Sequence, residues 1–355
     1  MYAQIHDVFC IGNSLSVLSQ NGSESLDRFS TLTLTGVPLC GSITLSRRET
    51  FPSRGYDFCL KKFINKPKWE PMSLPTEGEH LYLELGECIG HGRSALVYAA
   101  KTVADSGESE DGGTSTSFKA AELCVKLAKP NHCRMLAREG WVYEQLKEGT
   151  YQGVMVPRCY GFFATDLPPN QSLDFLWSPE DDLDYLGSPD SPPRDDILCD
   201  EEGIPRIRVE SSLGGREFSP WVDWRPDPNA PLLCALVMAR GGPSYTLHED
   251  HKDESNRCAC LDIYFYVSIE PPLRDDINKI LEDLTRNYIL HEDLRSDNLI
   301  RAPADTELCR RHGYVHKWNL IDFALTNVDQ PDANSDRLQA IYKLQRQGFR
   351  SSCPY

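Results

Sequence analysis

The chain has 355 residues, 40% of them hydrophobic, which is enough to bury a sizeable core and to build one two-lobed domain with extensions. Its formal net charge of −16 argues against a general nucleic-acid or anionic-membrane surface, because phosphate backbones and acidic lipids need positive patches. The 13 cysteines are an odd number without framework spacing and read as mostly buried thiols in a reducing compartment.

Residues 1–7 have neither the basic start nor the long apolar run of a signal peptide, and no later stretch is long enough to span a bilayer. A soluble intracellular protein, cytoplasmic with the nucleus left open, is expected. Residues 1–78 form an extension of mixed pattern. Within it, residues 30–35 alternate Thr and Leu and residues 42–45 suit a second short strand, with Gly36-Val37-Pro38 as turn chemistry between them. This reads as a small sheet packed on the upper part of the domain, or as a substrate-like arm.

Residues 88–98 contain Gly90 and Gly92, which let a turn bring backbone N–H groups onto phosphates, followed by the β-branched Val97. A Gly-x-Gly pair also suits a plain hairpin. Residues 102–118 are rich in Ser, Gly, Asp and Glu and read as a loop. Residues 123–128, Leu-Cys-Val-Lys-Leu-Ala, form an apolar strand with one Lys in the middle, where an unpaired ammonium would be costly to bury. Lys126 therefore needs anions. One candidate is Glu139, in a segment where Leu136, Tyr143 and Leu146 fall at helical spacing and Glu139 lies on the same inward stripe; Glu144 is the outward alternative.

From about 166 to 230 runs an acidic insertion with interleaved Ser-Pro and Pro-Pro pairs, too self-repelling and too poor in apolar surface to fold alone. Near its end, Trp221 and Trp224 on a polar background suggest either docking back onto the domain or a partner contact, with packing the preferred reading. Residues 232–238 are a continuous apolar run of strand length, and residues 239–242 supply a break. In the next stretch His248, His251, Cys258 and Cys260 are spaced more tightly than a zinc finger and read as a polar loop. A helix is expected over 272–289, where Leu273, Ile277, Ile280, Leu281, Leu284 and Tyr288 share one face after a Pro-Pro start.

That helix delivers the chain to His291-Glu292-Asp293-Leu294-Arg295-Ser296-Asp297-Asn298, which is followed by Leu320-Ile321-Asp322-Phe323-Ala324. The two segments read as halves of a phosphotransferase site. A carboxylate at Asp293 can orient a hydroxyl nucleophile, while Asn298 and Asp322 offer the hard oxygen ligands that Mg²⁺ takes when it bridges nucleotide phosphates. Between the halves, Cys309, His312 and His316 read as a β-turn insertion rather than a metal site. After Ala324 the sequence continues only to Tyr355, enough for a short loop and one helix carrying Leu338, Ile341 and Leu344 at helical spacing.

In the order glycine loop, Lys126, Glu139, Asp293-x-x-x-x-Asn298, Asp322-Phe323, the chain resembles the protein-kinase-like superfamily, and more narrowly the short fungal kinase-like proteins. Residues 139–146 and 152–163 look like that family's αC helix and fourth strand, and the resemblance covers 80–165 and 232–325. It implies an α+β, bilobal fold: a β-rich N-lobe with the αC helix over 79–241, and a shortened helical C-lobe over 242–355. By the same resemblance, Gly90 and Gly92 would cover the triphosphate of ATP and Lys126 would hold its α and β groups. Glu139 would position Lys126, Val97 and Cys124 would sandwich the adenine, and the backbone after residue 238 would hydrogen-bond it. Asp293 would be the catalytic carboxylate, Asn298 and Asp322 would hold Mg²⁺, and Tyr143, His291 and Phe323 would stack as a spine joining the lobes.

The departures from the family pattern are Ala95 in place of the third loop glycine, Ala324 in place of the glycine after Asp322-Phe323, and Glu292 where regulated protein kinases carry Arg. Glu292 would repel an activation-loop phosphate, so phosphorylation of that loop is not the expected switch. Arg295 resembles the form seen in some tyrosine kinases and small-molecule phosphotransferases. The resulting expectation is phosphoryl transfer from Mg-ATP to a hydroxyl of a protein or small molecule, with neither nucleic acid nor membrane as partner. The alternatives are a small-molecule kinase of the aminoglycoside or choline type and a nucleotide-binding pseudokinase scaffold.

Overall fold

A computed structural model describes residues 28–39, 41–53, 55–57, 62–64, 73–75, 77–103, 122–146, 150–168, 218–227, 230–245, 271–328 and 335–351. The expectations for the loop at 102–118 beyond Val103, for the acidic centre of the insertion and for the His248, His251, Cys258 and Cys260 group lie outside the described residues.

The N-terminal half is built on strands β1 (Phe29–Gly36), β2 (Ile43–Arg47), β3 (Gly55–Asp57), β4 (Lys62–Ile64), β5 (Glu79–His91), β6 (Ala95–Thr102), β7 (Leu123–Ala128), β8 (Cys159–Asp166) and β9 (Leu232–Ala239). Seven of them close a barrel in the order β1-β2-β8-β9-β7-β6-β5. Closure depends on β1, which pairs antiparallel with β2 and parallel with β5, so that Leu32 lies opposite both Leu45 and Leu81. The strands drawn from residues 29–47 are therefore hydrogen-bonded members of the barrel, not a separate sheet laid on it. Between β2 and β8 the register is held by the buried Arg47, which donates to the carbonyls of Phe29 and Tyr160. Gly161 sits beside it at φ 140° in a bulge of β8, where a Cβ would come within 2.9 Å of the guanidinium.

Strand alternation sorts the buried side chains into two cores. From β7, Leu123, Val125 and Leu127 point into the barrel with Leu233, Ala235 and Val237 of β9. The intervening Cys124 and Ala128, with Cys234, Leu236 and Met238, face a second core outside the barrel. Lys126 shares that outer face by the same alternation. Helix α1 (Cys133–Gln145) packs there and is buried over nearly its whole length. Gly140 allows this close approach, since a Cβ would meet Thr50, Phe162 and Leu236 side chains at 3.1 to 3.4 Å. Trp221 joins the same core, edge-on to Phe162 with its indole N–H donating to the carbonyl of Glu49.

The C-terminal part comprises α2 (Pro271–Arg286), β10 (Ile289–Leu290), β11 (Leu299–Arg301), β12 (Trp318–Leu320), β13 (Asn327–Val328) and α3 (Ser335–Ser351). Ile277, Ile280, Leu281 and Leu284 of α2 are buried, as their spacing requires. The helix stops short of residue 289 because Tyr288 turns left-handed at φ 57°, which frees Ile289 and Leu290 to pair with β13. On α3, Gln345 donates from Nε2 to the carbonyl of Ile289 and accepts at Oε1 from the N–H of His291, tying that helix to the loop that follows β10. The architecture is α+β. No helix among the described residues is long and apolar enough to cross a membrane.

Candidate active site

Lys126 Nζ lies 2.6 Å from Glu139 Oε2 and 2.8 Å from Asp322 Oδ1. One ammonium thus joins β7 of the barrel, α1, and the chain just after β12. Glu139 is almost fully buried, and Glu144, the outward alternative, instead accepts a hydrogen bond from Thr50. Burial alone would pull the Lys126 pKa down, but the charges of Asp322 and Glu139 and their hydrogen bonds raise it above the ordinary value, so the ammonium is held charged. Burial raises the carboxyl of Glu139, with Lys126 opposing. For Asp322 burial also acts upward, yet the charge and hydrogen bond of Lys126, helped by Arg295, hold it below the usual carboxylate range. The three groups form a charged triad with one cation between two anions.

The register of β11 against β12 brings Asn298 and Asp322 to the same end of a two-stranded sheet. Leu299 pairs with Leu320, and the N–H of Ile321 donates to the carbonyl of Asn298 at 3.0 Å. Asp322 follows at φ 66°, a left-handed conformation that costs a non-glycine residue energy and is held here by the surrounding contacts. Asn298 donates from Nδ2 to the backbone carbonyl of Asp293 at 2.7 Å and to its Oδ2 at 3.3 Å. Both contacts use the amide nitrogen, which leaves the oxygen Oδ1 as the atom able to ligate a hard cation. Arg295 donates to Asp293 Oδ2 at 2.6 Å.

His291 is buried and its tautomer follows from its partners. Nε2 faces the carbonyl oxygen of Ile321 and must carry the proton, whereas Nδ1 accepts from the N–H of Asp293. Burial lowers its pKa and keeps it neutral. Its ring packs edge-on to Phe323, 4.9 Å between centroids, and Phe323 packs edge-on to Tyr143 of α1 at 5.3 Å. The three rings therefore form a continuous stack from α1 to the loop that carries Asp293.

Gly90 and Gly92 fall at the β5–β6 hairpin, where Gly90 pairs with Val97 and the N–H of Gly92 donates to the carbonyl of Ala95. Val97 lies opposite Lys126, and Cys124 lies two residues back on the same face of β7; burial pushes the Cys124 thiol up to about 12. Beyond β9, the N–H groups of Ala239 and Arg240 donate to the carbonyls of Arg158 and Glu122. Gly241 then passes β11 so closely that a Cβ would meet Ile300 at 2.4 Å and the carbonyl of Arg301 at 2.9 Å.

One residue of this region escaped the sequence reading, and another makes a contact it did not foresee. Arg138, next to Glu139, is fully buried and donates to the carbonyl of Thr326 at 2.6 Å and to Asn327 Oδ1 at 3.3 Å. Asp322 was expected on a metal alone, yet it is also the second anion of Lys126. In charge the site has three carboxylates, Glu139, Asp293 and Asp322, against Lys126 and Arg295, an excess of one negative charge that a divalent cation fits. The donor set, an amide oxygen and carboxylates, is the one Mg²⁺ takes.

No family model matches the chain, and no curated protein matches it. Among solved structures the chain is similar to a Plasmodium kinase domain, with 12% identity and a TM-score of 0.35 over 71% of this chain. The chain spans 53% of the length of that domain.

Proposed function

We propose that the chain is an ATP-dependent phosphotransferase of the protein-kinase-like type, moving the γ-phosphoryl of Mg-ATP onto a hydroxyl. In this reading the barrel with α1 is the upper lobe, the part after Gly242 is the lower lobe, and the nucleotide lies between them. The observation that carries it is the bridging position of Lys126, 2.6 Å from Glu139 and 2.8 Å from Asp322. A charged ammonium held between a helix carboxylate and a carboxylate beside Asn298 is poised to receive phosphate oxygens.

Lys126 would hold the α and β phosphates and Glu139 would fix its position. Asn298 Oδ1 and Asp322 would hold Mg²⁺, which supplies countercharge to the phosphates when bound. Asp293 would orient the acceptor hydroxyl and take its proton late, and its Oδ2 is kept in place by Asn298 and Arg295. The hairpin glycines would cover the triphosphate, with Val97 and Cys124 against the adenine.

Calorimetric titration of the full chain with ATP, with and without Mg²⁺ and beside Asp322→Asn, tests the site. Binding that needs Mg²⁺ and is lost in the variant supports it. A folded chain that binds no nucleotide would reject it in favour of a scaffold.

A further inference from the structure

The loop joining β11 to β12 gathers a second set of ligand-type side chains. The turn expected at residues 309–316 is present: Cys309 N–H donates to the carbonyl of Tyr314, Gly313 N–H donates to the carbonyl of Cys309, and Gly313 lies at φ 73°. Its closure is what brings Cys309, His312 and His316 together over Asp283 of α2. One donor atom from each of the four lies within 4.8 Å of the others.

Four of the six donor-to-donor separations are close to the edges of a metal tetrahedron. Cys309 Sγ is 3.4 Å from His312 Nδ1 and 3.8 Å from Asp283 Oδ2. His312 Nδ1 is 3.3 Å from His316 Nε2 and 3.6 Å from Asp283 Oδ2. Zinc bonds of about 2.0 Å to N or O and about 2.3 Å to S give tetrahedral donor-to-donor edges of about 3.3 to 3.6 Å.

The outer shell is also built. Asp276, two turns before Asp283 on α2, accepts from His316 Nδ1 at 2.6 Å, from the Tyr314 hydroxyl at 2.9 Å and from the N–H of Lys317 at 3.0 Å. Asp276 thereby fixes the proton on His316 Nδ1 and turns the Nε2 lone pair inward, the carboxylate–histidine arrangement that supports metal ligands. Arg311 engages Asp283 Oδ1, which leaves Oδ2 facing the cluster. Asp276, Asp283, Cys309 and His316 are buried and His312 is partly buried, so the cluster is largely shielded from solvent.

We propose that Asp283, Cys309, His312 and His316 form a structural zinc site that staples α2 to the β11–β12 loop. A thiolate ligand disfavours Mg²⁺ and Ca²⁺, and a tetrahedral set of one S, two N and one O suits Zn²⁺. The thiolate and the Asp283 carboxylate together balance its charge. The staple sits in the connection between Asn298 and Asp322 and is independent of the phosphotransferase reading.

The test is zinc content by mass spectrometry of the full chain purified without chelator, with Co²⁺ reconstitution as a spectroscopic probe. One zinc per chain, lost in Cys309→Ser and His316→Ala, is the expected result, together with tetrahedral d–d bands and a thiolate-to-metal band in the Co²⁺ form. Asp276→Asn should weaken zinc binding about 10- to 100-fold. A variant carrying both Cys258→Ser and Cys260→Ser leaves the proposed site intact and should keep its zinc. Zinc lost from that variant, zinc retained in Cys309→Ser, or a folded parent with neither zinc nor a Co²⁺–thiolate band would overturn the assignment.

Discussion

Arg138 on α1 donates to the carbonyl oxygen of Thr326 at 2.6 Å, which binds the neighbour of Glu139 to the chain just beyond Asp322-Phe323-Ala324. Glu139 and Asp322 are thus held toward Lys126 from both sides. Arg138→Met should destabilise the fold by about 3 kcal/mol, because Thr326 and Asn327 lose a buried charged donor. It should also weaken Mg-ATP binding. Urea unfolding and nucleotide titration of the variant would check both; a stability change within about 0.5 kcal/mol would mean that the guanidinium has no clamping role.

Lys126→Met removes the cation that bridges Glu139 and Asp322 and leaves two carboxylates facing each other, one of them fully buried. The expected cost is about 3 kcal/mol, with nucleotide binding lost. Adding Glu139→Gln to that variant should restore part of the stability, since an unpaired buried charge is then neutralised, but none of the binding. A double-mutant cycle by chemical denaturation measures the coupling; simple additivity would show that the close approach of Lys126 and Glu139 carries little energy.

What the sequence made legible was local. The five apolar positions of β7 around Lys126 and the helical stripe of α1 could be read from the sequence, and Glu139 as a partner of Lys126 followed from the cost of burying an ammonium. Barrel closure could not be read, because β1 finds its parallel partner β5 across a long stretch of chain and no turn signal marks such a pairing. Arg138 was missed because a basic residue on an amphipathic helix ordinarily faces water, and only the packing of the segment after Phe323 reverses that. Asp276 and Asp283 are likewise ordinary surface acids of a helix until the β11–β12 loop folds over them. Asp322 entered the reading as a metal ligand, and its contact with Lys126, from a strand far earlier in the chain, depends on how the two halves of the fold meet.

Acid sensitivity should trace in part to His132, which precedes α1. Burial lowers its pKa from 6.5 to about 4, and the charges of Arg93 and Lys129 act the same way. A proton there would also oppose the positive end of the helix dipole. The folded state binds this proton less readily than the unfolded chain, so the group costs nothing above pH 6.5. Stability should fall as pH drops from 6.5 toward 4, and the penalty should level off below that. Melting temperatures of wild type and His132→Phe compared across this range isolate the contribution of one ring among other titrating groups. Parallel pH profiles for the two proteins would rule out His132 as the source.

Asp293 and Arg295 separate chemistry from binding. Arg295 is half exposed and donates to Asp293 Oδ2 at 2.6 Å, while Asn298 holds the same oxygen from the other side. Under the proposed mechanism Asp293→Asn keeps the shape but removes the charge that would take the acceptor proton, so ATP turnover should drop by roughly 10²-fold or more with nucleotide affinity unchanged. Arg295→Ala should leave the carboxylate in place through Asn298 and reduce turnover far less, because the exposed ion pair orients Asp293 without being its only support. Measuring ATP hydrolysis and calorimetric affinity on the same preparations distinguishes the two. Equal turnover in wild type and Asp293→Asn would remove Asp293 from the chemical step, and a parallel loss of affinity would show instead that the carboxylate holds the nucleotide site together.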